Sequence, residues 1–432
     1  PVQSEIVQIS EKHLVSVLNK IPKVKEIFLR NIIVRESAID IKTELNLHEL
    51  RKFSVDYVMF ESLKVFDALP VVISDLVFTF EPADETKFQN FFNRQSKIKK
   101  LEIFENNDIS FSHLELEHLK ISSSINFPEM IRQQPKLRYL DFAITWVEDD
   151  TFEEICTLKH LVTLKMLIDQ ISCQQFKKLK EVVNLKELRL DSHTSFERGH
   201  LNELGLMRFP RLEKLTLIYT ERKIPEEAII EFGNSFKQMK HIELINKSIR
   251  VMSVILESFP QLETLLLDFF AIFGAPDDVL ALSDDFKHSN LKQLVVTNIN
   301  KNETENTKAL LKLISACPNL ERIMLSQVTG ITLDDLQHIF ESHPNLTHFS
   351  IEFEDFQLDY GAICLIQDSK NLVHLRLNGL KIFPSYSTLV TLLEDKFPNI
   401  NFYKYSNGDG ELIAKKRNVG DWYLNFNLMS HF

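Results

Sequence analysis

The strongest constraint on this chain is a short phrase that recurs between Cys317 and Asn378. Three copies read CPNLERIMLSQV, HPNLTHFSIEF and KNLVHLRLNGL, and their first leucines, Leu320, Leu346 and Leu372, are 26 residues apart. Each leucine is followed three and five residues later by another apolar residue, which gives the pattern L-x-x-L-x-L. A strand with this alternation buries one face, and a unit this short cannot complete a core alone. Each copy must therefore stack on its neighbours.

Copies of the phrase extend along nearly the whole chain, about 16 in all, at spacings of roughly 18 to 29 residues. Their first positions are Val24, Leu50, Ile73, Ile98, Leu116, Leu137, Leu161, Leu185, Leu212, Met239, Leu262, Leu291, Leu320, Leu346, Leu372 and Ile400. Many copies have a proline two residues before the first position, where it ends the preceding helix without interrupting the strand. Such spacing fits a strand, a loop, a helix and a second loop in each copy.

The segments between the phrases have apolar residues at helical spacing. Helices are predicted over Ser10 to Asn19 and within 87–93, 174–182, 226–236, 309–314, 336–340 and 390–393. Because a strand–helix–parallel strand connection is right-handed, we predict an α/β fold. It is a right-handed solenoid, or horseshoe, with a parallel sheet on the concave face and helices on the convex face.

The repeat pattern breaks after Tyr405, so we predict that residues 1–405 form the solenoid. The turn-prone sequences NGDG and VGD separate ELIAKK from WYLNFNL, which reads as two strands. An open solenoid end exposes a core face that must be covered. Residues 406–432 are therefore predicted to form a C-terminal β cap of the same domain, with Trp422 and Phe426 turned inward.

Composition narrows the classes of partner. The 432 residues have a net charge of -11, so nucleic acid is not an expected partner of this acidic chain. The sequence shows no signal-peptide pattern and no run of about 18 apolar residues. A membrane is therefore not an expected partner. The four cysteines are scattered, without CxxC or clustered end caps, which predicts a cytoplasmic or nuclear location. We expect a monomer, and because the sequence opens at Pro1 we expect it to begin inside a longer protein.

No sequence pattern supports catalysis. The motifs GxxxxGK[ST], HExxH and GxSxG do not occur, and the 14 histidines are dispersed. The nearest approach to a metal-ligand cluster is His343 and His348 with Asp334 and Asp335, which straddle a helix, a turn and a strand, so polar decoration is favoured over a metal site. We predict a non-enzymatic protein without a cofactor or a metal ion.

Recognition of a protein is better supported, because the third, fifth and seventh places of L-x-x-L-x-L face the concave surface. The fifth place is charged in the middle of the array, at Glu102, Lys120, Asp141, Lys165 and Arg189. Lys120, Lys165 and Arg189 alternate with Asp141, so they are expected to pair locally rather than form an anion site. Further along, the fifth place is apolar, and the seventh place extends this track, which gives Ile218, Ile245, Leu266, Val295 and Met324. Such a track predicts a partner site, unless the curvature of the sheet shields it.

A second candidate lies at the C-terminal end of the array. Arg376 and Lys404 hold the fifth place there, and KKR at 415–417 is close in sequence. Together they predict a basic corner that could attract an acidic or phosphorylated peptide, with a solvated chain end as the alternative.

The phrase, its period and the CPNL and HPNL openings resemble the leucine-rich repeat superfamily. Within it the units are similar to the cysteine-containing, ribonuclease-inhibitor-like repeats of F-box/leucine-rich-repeat proteins, from about Ile21 to Tyr405. This resemblance implies the substrate-recognition arm of a cullin-RING ubiquitin ligase, with an N-terminal F-box that docks the Skp adaptor. The sequence IPKVKEIF at 21–28 faintly echoes the opening of an F-box, but it fits the first repeat phrase. Skp and cullin are thus expected partners only if an F-box lies upstream of Pro1.

Three functions remain open at this point. The first is the ubiquitin ligase substrate adaptor that the resemblance implies. The second is a free-standing repeat scaffold or inhibitor, which needs no upstream domain. The third is a GTPase-activating repeat protein with a catalytic arginine on a loop after a strand, for which Arg30 is the available candidate.

Overall fold

The computed structural model describes residues 7–37, 45–79, 85–104, 110–122, 128–192, 198–219, 224–245, 250–269, 285–298, 304–328, 330–353, 371–378, 400–405 and 411–416. The chain divides into two compact units. The first unit is Pro1–Glu221 with Glu231–Met239, and the second unit is Arg222–Ile230 with Lys240–Phe432.

The strands are β1 Val7–Ser10, β2 Glu26–Arg30, β3 Ile32–Arg35, β4 Lys52–Asp56, β5 Met59–Phe60, β6 Asp75–Thr79, β7 Lys100–Phe104, β8 His118–Ser122, β9 Tyr139–Trp146, β10 Thr163–Leu167, β11 Glu187–Ser192, β12 Lys214–Tyr219, β13 His241–Ile245, β14 Thr264–Asp268, β15 Gln293–Thr297, β16 Arg322–Val328, β17 His348–Phe353, β18 His374–Asn378, β19 Ile400–Tyr405 and β20 Glu411–Lys416. The helices are α1 Glu11–Asn19, α2 Lys64–Ala68, α3 Glu85–Arg94, α4 Pro128–Arg132, α5 Asp149–Cys156, α6 Cys173–Phe176, α7 Arg198–Leu206, α8 Glu226–Ser235, α9 Arg250–Ser258, α10 Thr304–Ser315 and α11 Leu333–Ser342, with a 3₁₀ helix at Lys177–Glu181.

Each unit contains a parallel sheet to which successive phrases contribute one strand each. In the first unit the order is β2, β4, β6, β7, β8, β9, β10, β11 and β12. In the second unit β13 to β18 follow one another in the same way. Helices follow most of these strands, so the predicted α/β leucine-rich-repeat fold is confirmed.

The register explains why the phrase holds the fold together. Neighbouring strands pair place by place, so the fourth-place residues Leu265, Leu294 and Ile323 stand side by side, as do the sixth-place residues Leu267 and Val296. All of these side chains are buried. Because residues in register share a face of the sheet, one continuous apolar layer runs across the strands.

Large aromatic side chains fill the space between this layer and the helices. In the first unit the Phe66 ring, on α2, lies 5.0 Å from the ring of Phe60 and 5.6 Å from that of Phe88. The rings of Phe53, Phe78 and Phe91 surround it at 6.1, 5.8 and 5.4 Å. Most of these pairs meet edge to face, the arrangement that aromatic rings prefer.

Side-chain amides complete the hydrogen bonding between successive coils. Asn184, Asn290, Asn319 and Asn371 each stand just before a first-place leucine, and their Nδ2 groups donate to carbonyls of the preceding coil at 2.7 to 2.8 Å. These bonds give a loop carbonyl outside the strand ladders a hydrogen-bond donor from the protein itself. The asparagine that precedes the first-place leucine in these four phrases therefore belongs to the fold, a role that the sequence analysis missed.

The first coils contain a second, shorter sheet that was not predicted. β1, β3 and β5 form it with parallel pairing. The chain passes from β2 to β3 through Asn31, whose φ of 53° is left-handed, and Tyr57 has a φ of 50° after β4. Asn31 also donates its N–H to Asp56 O at 3.1 Å. These bends let each coil begin a second strand at once.

The end of the array differs from the predicted continuation. The phrase at Ile400 forms β19, but β20 lies between β18 and β19 and pairs antiparallel with both. A chain that reverses after a strand can return through a short connection, whereas a parallel return needs a long crossover. The strand predicted in ELIAKK is thus present, while Trp422 and Phe426 of the predicted cap lie outside the described residues.

We predict that Phe66→Ala destabilises the protein by about 3 to 5 kcal/mol, because it removes the ring at the centre of the aromatic cluster and leaves a cavity. Chemical denaturation of each protein, monitored by near-ultraviolet circular dichroism, measures the change in the free energy of unfolding. Val183→Ala, at an exposed valine, is the control and should change stability by less than about 0.5 kcal/mol. Equal effects of the two substitutions would contradict the packing described here.

Candidate partner-binding surfaces

The fifth-place residues of the second unit form a row across neighbouring strands. The register pairs Glu243 with Leu266, Leu266 with Val295, Val295 with Met324, and Met324 with Ser350. Leu266 and Met324 are half-buried, whereas their strand neighbours Leu265 and Leu325 are buried. This face of the sheet is therefore open to solvent at Leu266 and Met324. We call Leu266, Val295 and Met324 the apolar row.

Val295 is less accessible than predicted. Its side chain is only 2% exposed. It is the shortest member of the row and stands between Leu266 and Met324, each one strand spacing of about 4.8 Å away. The longer neighbours cover it, so Val295 supports the row and offers little surface of its own.

The seventh place is also buried, contrary to the prediction for Ile218 and Ile245. Ile218, in the first unit, and Ile245, in the second, are each 8% exposed. In the two phrases that follow Ile245, the residue after the seventh place is bonded to the next strand: Phe269 N donates to Thr297 O at 2.9 Å and Asn298 N donates to Ser326 O at 3.1 Å. The segments that leave the strands are held against them there, and in the second unit the accessible apolar track is reduced to Leu266 and Met324.

The backbone register separates two members of the predicted basic corner, Arg376 and Lys404. Arg376 pairs with Ile413, and Ile413 pairs with Tyr403. Lys404 instead pairs with Leu412, which pairs with Leu377. The inserted antiparallel strand β20 therefore shifts Lys404 out of the row that contains Arg376.

The strand face of the first unit carries charged residues that pair locally, as predicted. Arg189 donates from Nε and Nη2 to the carboxylate of Asp191, the shortest of these bonds being 2.8 Å. Glu187 lies 2.9 Å from Lys214 and 3.7 Å from Lys165. These charges neutralise one another, which makes an anion site on this face unfavourable.

Tyr139 is the centre of this polar face. Its ring stacks on His118 at 3.9 Å, its hydroxyl donates to Asp141 at 2.9 Å, and Lys165 Nζ lies 5.3 Å from its ring centroid. Burial, followed by the charge of Asp141, raises the pKa of the Tyr139 phenol, which stays protonated. The result is a rigid polar surface whose side chains are already held in place.

Glu102, at the edge of this face, has its carboxylate 2.8 Å from Lys100 and 3.5 Å from His118 Nε2. His118 and then Lys100 lower the pKa of Glu102 to about 2, against the opposing effect of burial. Glu102 is therefore ionised throughout the neutral range.

An exposed aromatic residue on the same face was missed by the sequence analysis. Phe28 holds the fifth place of the first phrase and is 59% exposed, with Lys52 Nζ 4.7 Å from its ring centroid. Tyr57 and Met59 are also strongly exposed in this part of the chain. Reading the fifth place from the first phrase onward, rather than from Glu102, would have identified Phe28.

The arginine considered for GTPase activation is not on a loop. Arg30 is the last residue of β2, and its Nε lies 3.0 Å from the carboxylate of Asp56 on the neighbouring strand. This arrangement differs from the loop arginine that such a function requires.

The residues considered as metal ligands have structural partners. His343 is buried, with Nδ1 2.8 Å from Ile339 O and Nε2 3.0 Å from Ile314 O. Asp335 and Thr332 form the capping box that begins α11. Within the described ranges, no three His, Cys, Asp or Glu residues are grouped so as to hold a metal ion.

Two buried cysteines, Cys156 and Cys317, have thiols that stay protonated at neutral pH. Burial raises the pKa values of the Cys156 and Cys317 thiols to about 12, so neither forms a nucleophilic thiolate at neutral pH.

Of the helices that the structure describes, none has the length and apolar character needed to cross a membrane.

Comparisons with known proteins assign no family to this chain. No protein-family model and no curated protein sequence matches the chain. A solved structure of an internalin (inlF) from Listeria monocytogenes str. 4b F2365 is similar at 14% identity with a TM-score of 0.36, covering 83% of this chain and 87% of that chain. The fold assignment rests on the phrase and the strand register, not on this similarity.

The pair His348 and His374 generates a prediction about pH. Their rings stack at 5.8 Å on neighbouring strands, and burial, Arg322 and His374 lower the pKa of His348 from 6.5 to about 4. The unfolded chain therefore binds a proton at His348 at a higher pH than the folded chain does. The free energy of unfolding does not change with His348 protonation above pH 6.5, and it decreases as the pH falls from 6.5 toward 4.

We expect the thermal unfolding midpoint of the wild type to fall across this range more steeply than that of His348→Gln, which cannot titrate. Parallel scanning calorimetry of the two proteins measures the difference. Identical pH dependences would show that His348 is not held neutral by the fold.

Proposed function

We propose that this protein is a non-enzymatic protein–protein interaction module that binds its partner on the open strand face. The observation that carries the proposal is the apolar row, where Leu266, Val295 and Met324 are in register on three consecutive strands. The flanking side chains are half-buried while the fourth- and sixth-place residues beside them are buried. A row of this kind offers an apolar anchor on a rigid support.

The residues of the row suit recognition. Met324 is unbranched and polarisable, so it adapts to the shape of a partner, and Leu266 adds apolar area. Ser350 continues the row in register, and Arg376 follows it. Within the second unit, Ile245 and Val295 act as support beneath the surface, and we retain Arg376, but not Lys404, as a further partner contact. Ile218, which lies in the first unit, is not retained as a contact of the row.

We further propose the substrate-recognition arm of an F-box-type cullin-RING ubiquitin ligase as the specific role, in the cytoplasm or the nucleus. The support is the resemblance of the CPNL and HPNL units to the repeats of F-box/leucine-rich-repeat proteins. The alternative is a free-standing scaffold or inhibitor. Affinity purification of the full-length protein separates the two roles, since recovery of Skp and cullin supports the ligase and their absence from a purification that retains other partners supports the scaffold.

We predict that Leu266→Asp combined with Met324→Asp weakens partner binding by about tenfold or more, because two buried charges would replace the apolar contacts. Quantitative affinity purification identifies the partners that the wild type retains, and titration of one purified partner then measures the affinity. Thermal unfolding should change little, since both side chains are already partly in water.

Ile230→Asp is the matched control, since Ile230 lies in the second unit on α8 and is 48% exposed. The control should bind like the wild type. Loss of binding in the control alone, or a folded double variant with wild-type affinity, would contradict the proposed surface.

A further inference from the structure

A basic depression lies in the first unit, next to the starts of the strands that carry the polar face around Tyr139. Its volume is about 630 Å³. It is lined by residues that stand just before or just after the first-place leucines of successive phrases, namely Glu117, Lys136, Arg138, His160, Val162, Asn184, Lys186 and Arg211. We call this set the basic depression.

The repeat brings these residues into two rows. Backbone bonds stack the places after the leucines, with Arg138 N donating to Glu117 O at 2.9 Å, Val162 N to Arg138 O at 2.8 Å and Lys186 N to Val162 O at 2.8 Å. Val162 is short and half-buried between the long exposed side chains of Arg138 and Lys186. The short side chain forms the bottom of the depression, and the long side chains on either side form its sides.

The second row has the same form. Asn184 is short and half-buried, its Nδ2 donates to Lys159 O at 2.7 Å, and Arg211 donates to its Oδ1 at 3.2 Å. His160 and Lys136 continue this row toward the other end. Asn184 therefore bonds to the preceding coil through its Nδ2 and holds the guanidinium of Arg211 in place through its Oδ1.

The charge of the basic depression opposes that of the whole chain, which is -11. Four cations line it against one carboxylate, Glu117, which is itself neutralised by Lys99 at 2.7 Å. Lys136 pairs with Glu115 only through an exposed ion pair, which contributes little. Among the residues that the structure describes, Arg138, Lys186 and Arg211 form no ion pair.

We propose that the basic depression binds a short acidic segment of a partner protein. The lining comes from five successive phrases, whose strands span about 19 Å at 4.8 Å per spacing, the length of about six extended residues. Arg138 and Arg211 can each take a carboxylate in a bidentate geometry, and Lys186 adds a point charge between them. A bound acidic segment also relieves the repulsion among these cations.

A peptide fits the surroundings better than a nucleic acid. The depression is basic whereas the whole chain has a net charge of -11, so a polyanion longer than the depression would meet net negative charge beyond it. A segment of a few carboxylates ends where the basic residues end. This site is independent of the apolar row, so either can fail without the other.

Fluorescence anisotropy with a labelled six-residue Asp/Glu peptide tests the proposal on the full chain, alongside a labelled single-stranded oligonucleotide. We expect Arg138→Glu with Arg211→Glu to weaken peptide binding by about tenfold or more, and Arg138→Lys with Arg211→Lys to retain part of it. Lys12→Glu with Lys237→Glu changes the net charge equally at exposed lysines of the first unit and should leave binding near the wild-type level.

Near-ultraviolet circular dichroism confirms that each variant is folded. Three results would overturn the proposal: no measurable peptide binding by the wild type, equal losses in the test and control variants, or an oligonucleotide affinity that exceeds the peptide affinity and falls in the test variant. The apolar row is unaffected by these outcomes, because neither arginine belongs to it.

Discussion

The whole structure depends on the burial of the fourth- and sixth-place side chains of the phrase. In each unit, parallel pairing sets these residues side by side in one apolar layer, and the register repeats from strand to strand. A shift of one residue would move every apolar side chain to the opposite face, so the register is strongly specified. From Leu50 to Leu372 the first-place residues are buried as well, so recognition can be encoded only at the accessible places of the phrase.

Two kinds of variable place carry different chemistry. The fifth place changes from paired charges around Tyr139 in the first unit to the apolar row in the second unit. The places beside the first leucine carry the cations of the basic depression. One repeat thus presents two surfaces, a strand face suited to apolar and polar contacts and an edge suited to carboxylates.

Much of the fold could be predicted because its signal is periodic. Leu265 and Leu294 are placed by spacing alone, and the helix predicted from Ser10 to Asn19 forms because Ser10 caps it. The insertion of β20 was not predictable, because pairing at the end of an array depends on the tertiary competition between a parallel and an antiparallel partner. The second strands β3 and β5 were missed because left-handed residues such as Tyr57 carry no sequence signal.

The candidate site was predictable in position but not in exposure. Alternation identifies Leu266 and Met324, whereas the burial of Val295 depends on the lengths of its two neighbours across the sheet. Alternation also assigned Ile218 and Ile245 to the accessible face, although each is only 8% exposed. The basic depression was missed because its residues stand beside the first leucine, outside the third, fifth and seventh places that were assigned to the concave face.

The central claim is that the partner contacts the open strand face at the apolar row. Site-specific photo-crosslinking at Met324, with Ile230 on α8 as the comparison position, measures this directly. We predict that the partner crosslinks to a probe at position 324 and not to one at position 230. Crosslinking at position 230, with none at 324 while the complex still forms, would contradict the account.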